Sequence, residues 1–304
     1  MKIWKYFLGL LTLTAVTIWI AFFSYPKENL SVIACDVGQG DAILVQEGSN
    51  QLLVDGGKGS KVLDCLSRHL PFWDREIEVV VITHPQLDHY GGLIEVFRRY
   101  SVNTLLANSL DSASAEYQEL KKAVEESGAK IINPDEDVRL RVGEIYLDVV
   151  YPTENFMSEN LAGYSGSDEN NVLGAYTTKK DPNDFSIVAR LRFGEFDALL
   201  TGDIGPNVAD EVVKQLALSG VERVEYLKIP HHGSKNGLTQ ELLDASIPEI
   251  GVISVGKNPW GHPHQEILDM LSEKNTKILR TDELGDVVVE TDGESWWLDK
   301  ELNR

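Results

Sequence analysis

The chain contains little cysteine and is short of positive charge. Its 304 residues include only two cysteines, Cys35 and Cys65, which form no Cys-x-x-Cys pair. This argues against a cysteine-based metal site, while a single disulfide stays open for a domain outside the cytoplasm. Lysine and arginine total 28 against 48 aspartate and glutamate, a formal charge of −20. Such a surface repels polyanions, so tight nonspecific nucleic-acid binding is not expected, and a phosphate substrate would have to be held locally.

Internal repeats and low-complexity segments are also missing from the sequence. At 42% hydrophobic and 25% charged residues, the composition excludes a disordered chain. The length predicts one large domain or two small ones with an ample core.

Charge is missing from one N-terminal stretch, Tyr6 to Phe23, which follows Lys2 and Lys5. Its length suits a helix that crosses a bilayer. A cleavable signal peptide is the alternative, but no small-x-small cleavage pattern follows the apolar run. We therefore expect a membrane anchor at 1–24, a linker at 25–30 and a catalytic domain at 31–304. The positive charge before the anchor predicts a single-pass protein of the cell membrane with an extracytoplasmic catalytic domain.

Histidine is scarce, but its distribution is informative. Six of the seven histidines form three pairs, and each pair follows a strand-like apolar run. A further run ends in the carboxylate of Asp203. The carboxyl ends of neighbouring strands meet at one edge of a layered α/β fold, and imidazole and carboxylate suit zinc, iron or manganese. The pattern therefore predicts a metal site at such an edge. The pairs are His84 with His89, His231 with His232, and His262 with His264.

Between the strands, apolar periodicity predicts several helices, and one long segment has little periodicity. That segment, Glu154 to Asn183, is polar and contains glycine and asparagine. We interpret it as a loop, either a flap over the site or a plain surface insertion. The predicted helices include Lys61 to Leu70, Gly91 to Tyr100, Ser114 to Ser127, Asn207 to Leu218 and Gln265 to Glu273.

Six segments with polar or glycine residues at strand ends occur between about residues 31 and 290. They are Asp36-Val37-Gly38-Gln39-Gly40-Asp41-Ala42, Leu53-Val54-Asp55-Gly56-Gly57, Thr83-His84-Pro85-Gln86-Leu87-Asp88-His89, Leu200-Thr201-Gly202-Asp203, His231-His232-Gly233-Ser234-Lys235 and Gly261-His262-Pro263-His264. Together, and in this order, they resemble the metallo-β-lactamase superfamily, and within it the catalytic domain of the ComEC family of competence proteins. The resemblance implies a four-layered αββα sandwich with a metal site between the edges of its two sheets. Because the chain has one apolar segment, the multi-spanning channel of that family is not expected.

The resemblance also implies roles for individual residues. Asp88 and Asp203 are the expected catalytic carboxylates, and Asp203 would bridge two metal ions. The expected metal ligands are His84, Asp88, His89, Asp203, His231 and His264. Residues expected to support the ligands or contact substrate are Asp36 and Gln39 at the mouth of the site, Asp55 behind the ligand loop, Gln86, His232, His262, and Ser234 with Lys235 for a phosphate oxygen. The turn at Val37 to Gly40 is either part of this site or a tight hairpin without a chemical role.

Gln86 departs from the superfamily pattern, which has a histidine at this place. An amide is a poorer zinc ligand than imidazole, so the ion that includes His84 would be the more weakly held. The expected cofactor is therefore one or two divalent ions, zinc or manganese.

Two such ions, roughly 3.5 to 4 Å apart, would hold a hydroxide between them and lower its pKa to about 7. The predicted function is a membrane-anchored, metal-dependent phosphodiesterase or nuclease that acts on DNA during uptake, beside an uptake channel. One alternative is hydrolysis of a small extracellular ester or lactone, which suits the negative charge better. Another is a non-catalytic metal-binding component of a DNA-uptake machine.

Overall fold

Two β-sheets lie face to face at the centre of the fold. The computed structural model describes residues 2–23, 29–134, 136, 138–164 and 172–299. The strands in these residues are β1 (Leu30–Ala34), β2 (Ile43–Glu47), β3 (Asn50–Val54), β4 (Glu76–Ile82), β5 (Ser101–Ala107), β6 (Lys130–Ile132), β7 (Arg139–Val142), β8 (Ile145–Tyr151), β9 (Val188–Phe193), β10 (Phe196–Leu200), β11 (Tyr226–Lys228), β12 (Ile250–Ile253), β13 (Lys277–Arg280), β14 (Val287–Thr291) and β15 (Trp296–Leu298). The first sheet has the order β15-β14-β1-β2-β3-β4-β5-β6, and the second has the order β13-β12-β11-β10-β9-β8-β7.

Helices cover the outer faces of both sheets. The helices are α1 (Lys2–Phe23), α2 (Lys61–His69), α3 (Leu87–Tyr90), α4 (Leu93–Arg99), α5 (Ala115–Ser127), α6 (Glu154–Asn160), α7 (Pro206–Leu218), α8 (Gln240–Ser246), α9 (Gln265–Glu273) and α10 (Thr281–Leu284). Short 3₁₀ turns occupy Pro182–Phe185 and Pro230–Gly233. Apolar side chains of α2, α4 and α5 pack on the first sheet. Those of α7, α8 and α9 pack on the second.

The sequence explains this layering. Side chains alternate between the two faces of a strand, so a strand covered on both faces is apolar throughout. In β4, Val80 faces the helices together with Leu66 and Leu93. Its neighbours Val79 and Val81 face the second sheet, where they share a core with Leu191. The α/β fold with two helix-covered sheets is therefore confirmed.

The N-terminal helix corrects one prediction. α1 covers Lys2–Phe23, but no helix among the described residues is long and apolar enough to cross a membrane. The predicted single-pass cell-membrane location is therefore wrong, while the boundary of the N-terminal segment at 1–24, of which residues 1 and 24 lie outside the described residues, stays a prediction. The prediction rested on the length of the run and its lack of charge, but the run also contains the polar residues Thr12, Thr14 and Thr17.

The predicted boundaries of the remaining chain stay predictions. Residues 25–28 of the expected linker lie outside the described residues, as do 300–304 of the expected catalytic domain. Within the described residues, the first strand begins at Leu30 and the last strand ends at Leu298.

The polar segment from Glu154 to Asn183 is not a plain loop. It begins with α6, whose N-cap Thr153 accepts a hydrogen bond from the Phe156 N–H. Met157 and Leu161 are buried against Leu110. The sequence conceals this helix because it has only two turns and buries few side chains. Residues 165–171 lie outside the described residues.

Cys35 and Cys65 form a disulfide, with their Cα atoms 5.8 Å apart. Cys35 follows β1 and Cys65 lies in α2, so the bond ties the first sheet to a helix on its outer face. Beside it, Asp286 accepts hydrogen bonds from Arg68 and from the Asp36 N–H. These contacts fix the start of the turn that leads to Gly40.

Candidate metal centre

The predicted ligands lie where several strands end at a common edge. β3 and β4 run parallel, as do β10, β11 and β12. Their carboxyl ends therefore lie at one end of each sheet, and the two ends meet. Asp55 follows β3, His84 follows β4, Asp203 follows β10 and His232 follows β11. Side chains from both sheets thus reach one place.

His84, His89 and Asp203 form the centre of this site. All three side chains are buried, and their ligand atoms lie within 4.8 Å of one another. The Nε2 atom of His89 is 3.2 Å from Asp203 Oδ2. Yet the Nε2 atoms of His84 and His89 have no hydrogen-bond partner in the described structure. Buried imidazole nitrogens without a partner are costly unless another group satisfies them.

His232 approaches the same carboxylate from the second sheet. Its Nε2 atom lies 3.3 Å from Asp203 Oδ2 and 3.6 Å from Asp88 Oδ2, and it too lacks a hydrogen-bond partner among the described residues. His231 does not join them. Its ring centroid is 6.3 Å from that of His232 and 5.9 Å from that of His262. Of the histidine pair, the structure therefore brings His232 to Asp203 and Asp88.

The Nδ1 atoms of these three histidines all have partners on the outer side. Asp55 Oδ2 is 2.8 Å from His89 Nδ1, and the same carboxylate accepts hydrogen bonds from the N–H and hydroxyl of Thr83. His84 Nδ1 lies 3.1 Å from Thr83 Oγ1 and 3.3 Å from Ser186 Oγ. His232 Nδ1 is 2.9 Å from the Ser254 carbonyl oxygen. Each ring is thus oriented with Nε2 inward, as in histidines that bind metals.

A buried lysine supports the opposite side of Asp203. Lys228 is the last residue of β11, and its ammonium group donates to Asp203 Oδ1 at 3.1 Å and to the Gly202 carbonyl at 2.7 Å. It also lies 2.5 Å from Asp41 Oδ2. Asp41 Oδ1 in turn lies 3.5 Å from His232 Nδ1. Lys228 therefore fixes one oxygen of Asp203 and leaves the other oxygen for the histidines.

Electrostatics keep the carboxylates of the site ionised. Burial raises the pKa of Asp203, but His232, His89 and Lys228 outweigh burial and hold that pKa well below its usual value. Burial also raises the pKa of Asp41, yet Lys228 and His232 lower it to about 2. The site thus retains carboxylate oxygens capable of binding a cation.

The pKa values of the histidines are shifted in opposite directions by their surroundings. Burial lowers the pKa of His84 to about 3, with His89 adding to the effect, so its imidazole is neutral. Burial also lowers the pKa of His232, but Asp203 and Asp41 outweigh it and raise the value to about 9. Asp203 and Asp55 likewise raise the pKa of His89 against burial. The two histidines with raised pKa values are those that contact carboxylates.

The backbone of the site is strained. Asp55, His231 and His232 have positive φ angles of 59°, 52° and 54°. Such conformations cost about 1 to 3 kcal/mol each for residues other than glycine and concentrate at functional sites. Gly40 has a φ of 133°, and only glycine fits here because a Cβ would lie 2.2 Å from the Asp88 carbonyl oxygen. The turn at Val37 to Gly40 therefore packs directly on the ligand loop.

An open cleft of about 520 Å³ leads to these groups. It contains ten of the predicted site residues, together with Asn236 and Trp260. The predicted residues in its wall are Gln39, Gln86, Asp88, Asp203, His231, His232, Ser234, Lys235, His262 and His264.

Three of the predicted residues, Asp36, His264 and Gln86, have neighbours other than Asp203. Asp36 is not in the cleft wall, since its carboxylate accepts a hydrogen bond from the Gly38 N–H and lies 3.8 Å from Lys61. The ring of His264 is 5.3 Å from that of His262. It does not belong to the groups of ligand atoms around Asp203. Gln86 faces the cleft and its amide donates to Asn183 Oδ1 at 2.7 Å.

Sequence reasoning gave no role to Asp41 or Lys228. Asp41 stood within a quoted motif, directly after Gly40. Lys228 was detectable as a single cation between apolar residues at the end of a buried strand, where an unpaired charge is rarely tolerated. Thr83 and Ser186 contact His84. Thr83 also stood within a quoted motif, whereas Ser186 carried no comparable signal.

The side chains fit a divalent cation. Three unpartnered buried Nε2 atoms lie beside the oxygens of Asp88 and Asp203, and each of these histidines is oriented by a partner of its Nδ1 atom. This is the mixed imidazole and carboxylate donor set of catalytic zinc and manganese sites. The role of each residue as a ligand remains a prediction. Another group, Cys65, His69 and Asp286, has its sulfur in the disulfide.

Comparisons with known proteins agree with this description. A family model described as the metallo-beta-lactamase superfamily matches residues 35–257. The chain is 24% identical over 303 residues to ComE operon protein 3 of Bacillus subtilis, covering 89% of this chain and 34% of that protein. It is 25% identical over 277 residues to Recombination protein 2 of Haemophilus influenzae, covering 89% of this chain and 30% of that protein. The chain thus spans about a third of the length of these relatives.

Two solved structures share the fold. CmlA, a diiron β-hydroxylase from Streptomyces venezuelae, is 16% identical with a TM-score of 0.53, and the match covers 88% of this chain and 55% of CmlA. The metallo-beta-lactamase fold protein YhfI from Bacillus subtilis is 12% identical with a TM-score of 0.53, and the match covers 86% of this chain and all of YhfI. At these identities the likeness concerns architecture alone.

Proposed function

Since this chain belongs to the metallo-β-lactamase superfamily and has its metal-dependent hydrolase fold, we propose that it cuts phosphodiester bonds and that its substrate is DNA. The observation that carries the proposal is the set of unpartnered buried imidazole nitrogens facing Asp203 at the bottom of an open cleft. A closed structural site would offer no such access for water or substrate.

Five side chains would hold the metal. His84, Asp88, His89, Asp203 and His232 come from both sheets, and Asp203 Oδ2 is near two of the histidines. When bound, a divalent metal would lower the pKa of water and polarise a phosphoryl oxygen. His232 replaces His231 in the set first expected from the sequence, and His264 is left to the cleft wall.

The ligands are unequally distributed between two possible ions. Asp88, His89 and His232 form one group, to which Asp203 Oδ2 is close. His84 has only His89 and Asp203 beside it, and the amide of Gln86 is already bonded to Asn183. We therefore propose one firmly held ion near Asp88 and a weaker second ion near His84. Zinc and manganese both suit these donors.

The cleft wall suits a phosphodiester better than the whole surface does. The chain carries a formal charge of −20, but the acidic residues in the wall are Asp88 and Asp203, both beside histidines. Lys235 is exposed in the wall and can contact a phosphate oxygen. The hydroxyl of Ser234 accepts the N–H of Asn236 at 3.2 Å, which fixes this loop. The substrate is thus held locally against the repulsion of the remaining surface.

The carboxylates of Asp203 and Asp88 differ in their access to the cleft. Asp203 is buried, whereas 28% of the Asp88 side chain is exposed to the cleft. Burial raises the pKa of Asp88, but the nearby His232 and His89 outweigh burial and lower that pKa. Both are therefore ionised at neutral pH. Of the two expected catalytic carboxylates, Asp88 is the more exposed to the cleft and therefore the better placed to meet substrate.

DNA is proposed because both curated relatives have names that belong to genetic competence and recombination. The resemblance to the ComEC family points in the same direction, toward a nuclease step in DNA uptake. A small ester or lactone is the competing substrate, and a non-catalytic metal-binding protein is the competing function. Assays with an oligonucleotide, a lactone and a carboxylic ester separate these possibilities.

Incubation of the purified full chain with a labelled single-stranded oligonucleotide and manganese or zinc tests the proposal. We expect cleavage that EDTA abolishes and that falls at least 1,000-fold in a D88A/H89A variant, because removal of metal-held groups costs several kcal/mol of transition-state stabilisation. The D64A variant, which changes an exposed aspartate of α2, serves as the control and should cleave normally.

Parallel reactions with a lactone and a carboxylic ester complete the design. Metal-dependent turnover of these compounds without cleavage of any phosphodiester would contradict the proposal and favour the small-substrate alternative. Metal binding without turnover of any of them would favour the non-catalytic alternative.

A further inference from the structure

An exposed tryptophan stands in the wall of the cleft. Trp260 lies in the loop between β12 and α9, and 61% of its surface is exposed. Its ring centroid is 6.0 Å from that of His262, with the two planes inclined by 31°. It lines the same cleft as Asp88 and Asp203. Tryptophan is enriched at binding interfaces because it joins a large apolar face to a polar N–H, and its place in this cleft wall makes that face available to a ligand.

The loop holds this tryptophan rigidly. The side-chain amide of Asn258 donates to the carbonyls of Gly256 and His262, at 2.8 and 2.9 Å. Its oxygen accepts hydrogen bonds from the N–H groups of Trp260 and His262, at 3.1 and 3.0 Å. One side chain thus bonds to the backbone on both sides of the tryptophan. Because this backbone is already ordered, the protein loses little further conformational entropy when a ligand contacts the ring.

The cleft therefore combines a flat aromatic face with a cation. Lys235 and Asn236 lie in the same wall as Trp260. Sites for single-stranded nucleic acid use this combination, with cationic side chains along the backbone and aromatic rings under the bases. A base within a duplex has both faces covered by its neighbours, so only an unpaired base can stack on a protein ring.

We propose that Trp260 is a stacking platform for an unpaired base next to the phosphodiester that is cut. The inference rests on the proposed phosphodiesterase function and narrows its substrate class to single-stranded nucleic acid. Trp260 selects the substrate by contact with a base, while the metal ligands carry the chemistry.

A comparison of two strands of equal length tests this inference. One is an ordinary single-stranded oligonucleotide, and the other has the same phosphodiester backbone with abasic sugars throughout. In the full chain we expect kcat/KM to be about tenfold or more higher for the ordinary strand, since stacking of one base contributes that much. The W260A variant should bring the ratio of the two kcat/KM values close to one, through KM, and W260F should retain most of the preference.

The W73A variant is the matched control. Trp73 is also exposed, by 52%, but precedes β4, whereas His84 follows the other end of that strand. It should leave the ratio of the two values unchanged. Thermal unfolding of all variants checks that the fold is intact.

The outcomes separate the two proposals. Cleavage of both strands with equal efficiency by the unaltered chain, or equal losses on both strands in W260A, would overturn the stacking platform and leave the phosphodiesterase function standing. Cleavage of neither strand would overturn both. Duplex DNA cut as fast as the ordinary single strand would also contradict the stacking platform.

Discussion

Lys228 is the residue on which the interior of the site depends most. Its ammonium group is fully buried between Asp41 and Asp203. Burial lowers the pKa of Lys228, but the two carboxylates outweigh burial and raise that pKa. The lysine is therefore charged, and its loss would remove the buried cation that lies between Asp41 and Asp203. Breaking a buried pair in this way is far more costly than losing a surface ion pair.

We predict that K228M lowers the free energy of unfolding by about 3 to 5 kcal/mol at neutral pH. Urea unfolding measures the change, and K214M is the control because Lys214 is an exposed partner of Glu211. K214M should differ from the unaltered chain by at most about 1 kcal/mol. Equal stability of the two variants would show that the buried charges are compensated in some other way.

For individual residues, the sequence predicts the segments that form the site more accurately than it predicts which side chain of each segment lies near Asp203. His84, Asp88, His89 and Asp203 were expected together, and they lie together. His231 and His232 are consecutive residues with positive φ angles, and of the two it is His232 whose Nε2 lies 3.3 Å from Asp203 Oδ2. That backbone conformation is imposed by tertiary packing and has no local sequence signature.

Among the elements, strands and longer helices follow directly from apolar periodicity. The helix predicted at Gln265 to Glu273 has those bounds, and α5 begins after its N-cap Ser114 and ends at Gly128 in the left-handed conformation. The helix predicted at Gly91 to Tyr100 corresponds to α4, Leu93–Arg99, and the short helix α3, Leu87–Tyr90, precedes it. α6 was overlooked because a two-turn helix with few buried positions gives too little periodicity.

A disulfide bond joins the residue after β1 to helix α2. The Cys35–Cys65 disulfide closes a sequence separation of 30 residues. Loop-closure entropy of that size predicts a loss of about 3 to 4 kcal/mol in the free energy of unfolding for C35A/C65A. Urea unfolding of the variant, and of the unaltered chain with and without a thiol reductant, provides the measurement.

Reduction of the unaltered chain should bring its stability close to that of C35A/C65A. Identical midpoints for oxidised and reduced protein would mean that the bond does not stabilise the fold. The helix α2 and the turn before Gly40 would then depend on Asp286 and its hydrogen bonds instead.

For the whole molecule, the resemblance of six segments to the metallo-β-lactamase superfamily implied the two-sheet architecture, and the polar strand ends predicted that the site lies at a sheet edge. The N-terminal segment shows the limit of the same reasoning. Its lack of charge suggested a membrane anchor, but length and apolar character together decide whether a helix crosses a bilayer, and no helix among the described residues meets both conditions.

Because His84 and Asp88 follow the first sheet and Asp203 and His232 follow the second, a metal held by all of them would also tie the sheets together. Binding to the folded state alone stabilises a protein by mass action. The His231 and His232 pair makes this testable, since the two residues are adjacent and chemically identical, yet only His232 reaches Asp203.

Elemental analysis of the purified chain and of its H232A and H231A variants is the most direct test that side chains of both sheets share a cation. We predict one or two equivalents of zinc or manganese in the unaltered chain, a loss of most of this metal in H232A, and retention in H231A. A chain that binds no divalent metal, or an H231A variant that loses it while H232A keeps it, would contradict the account.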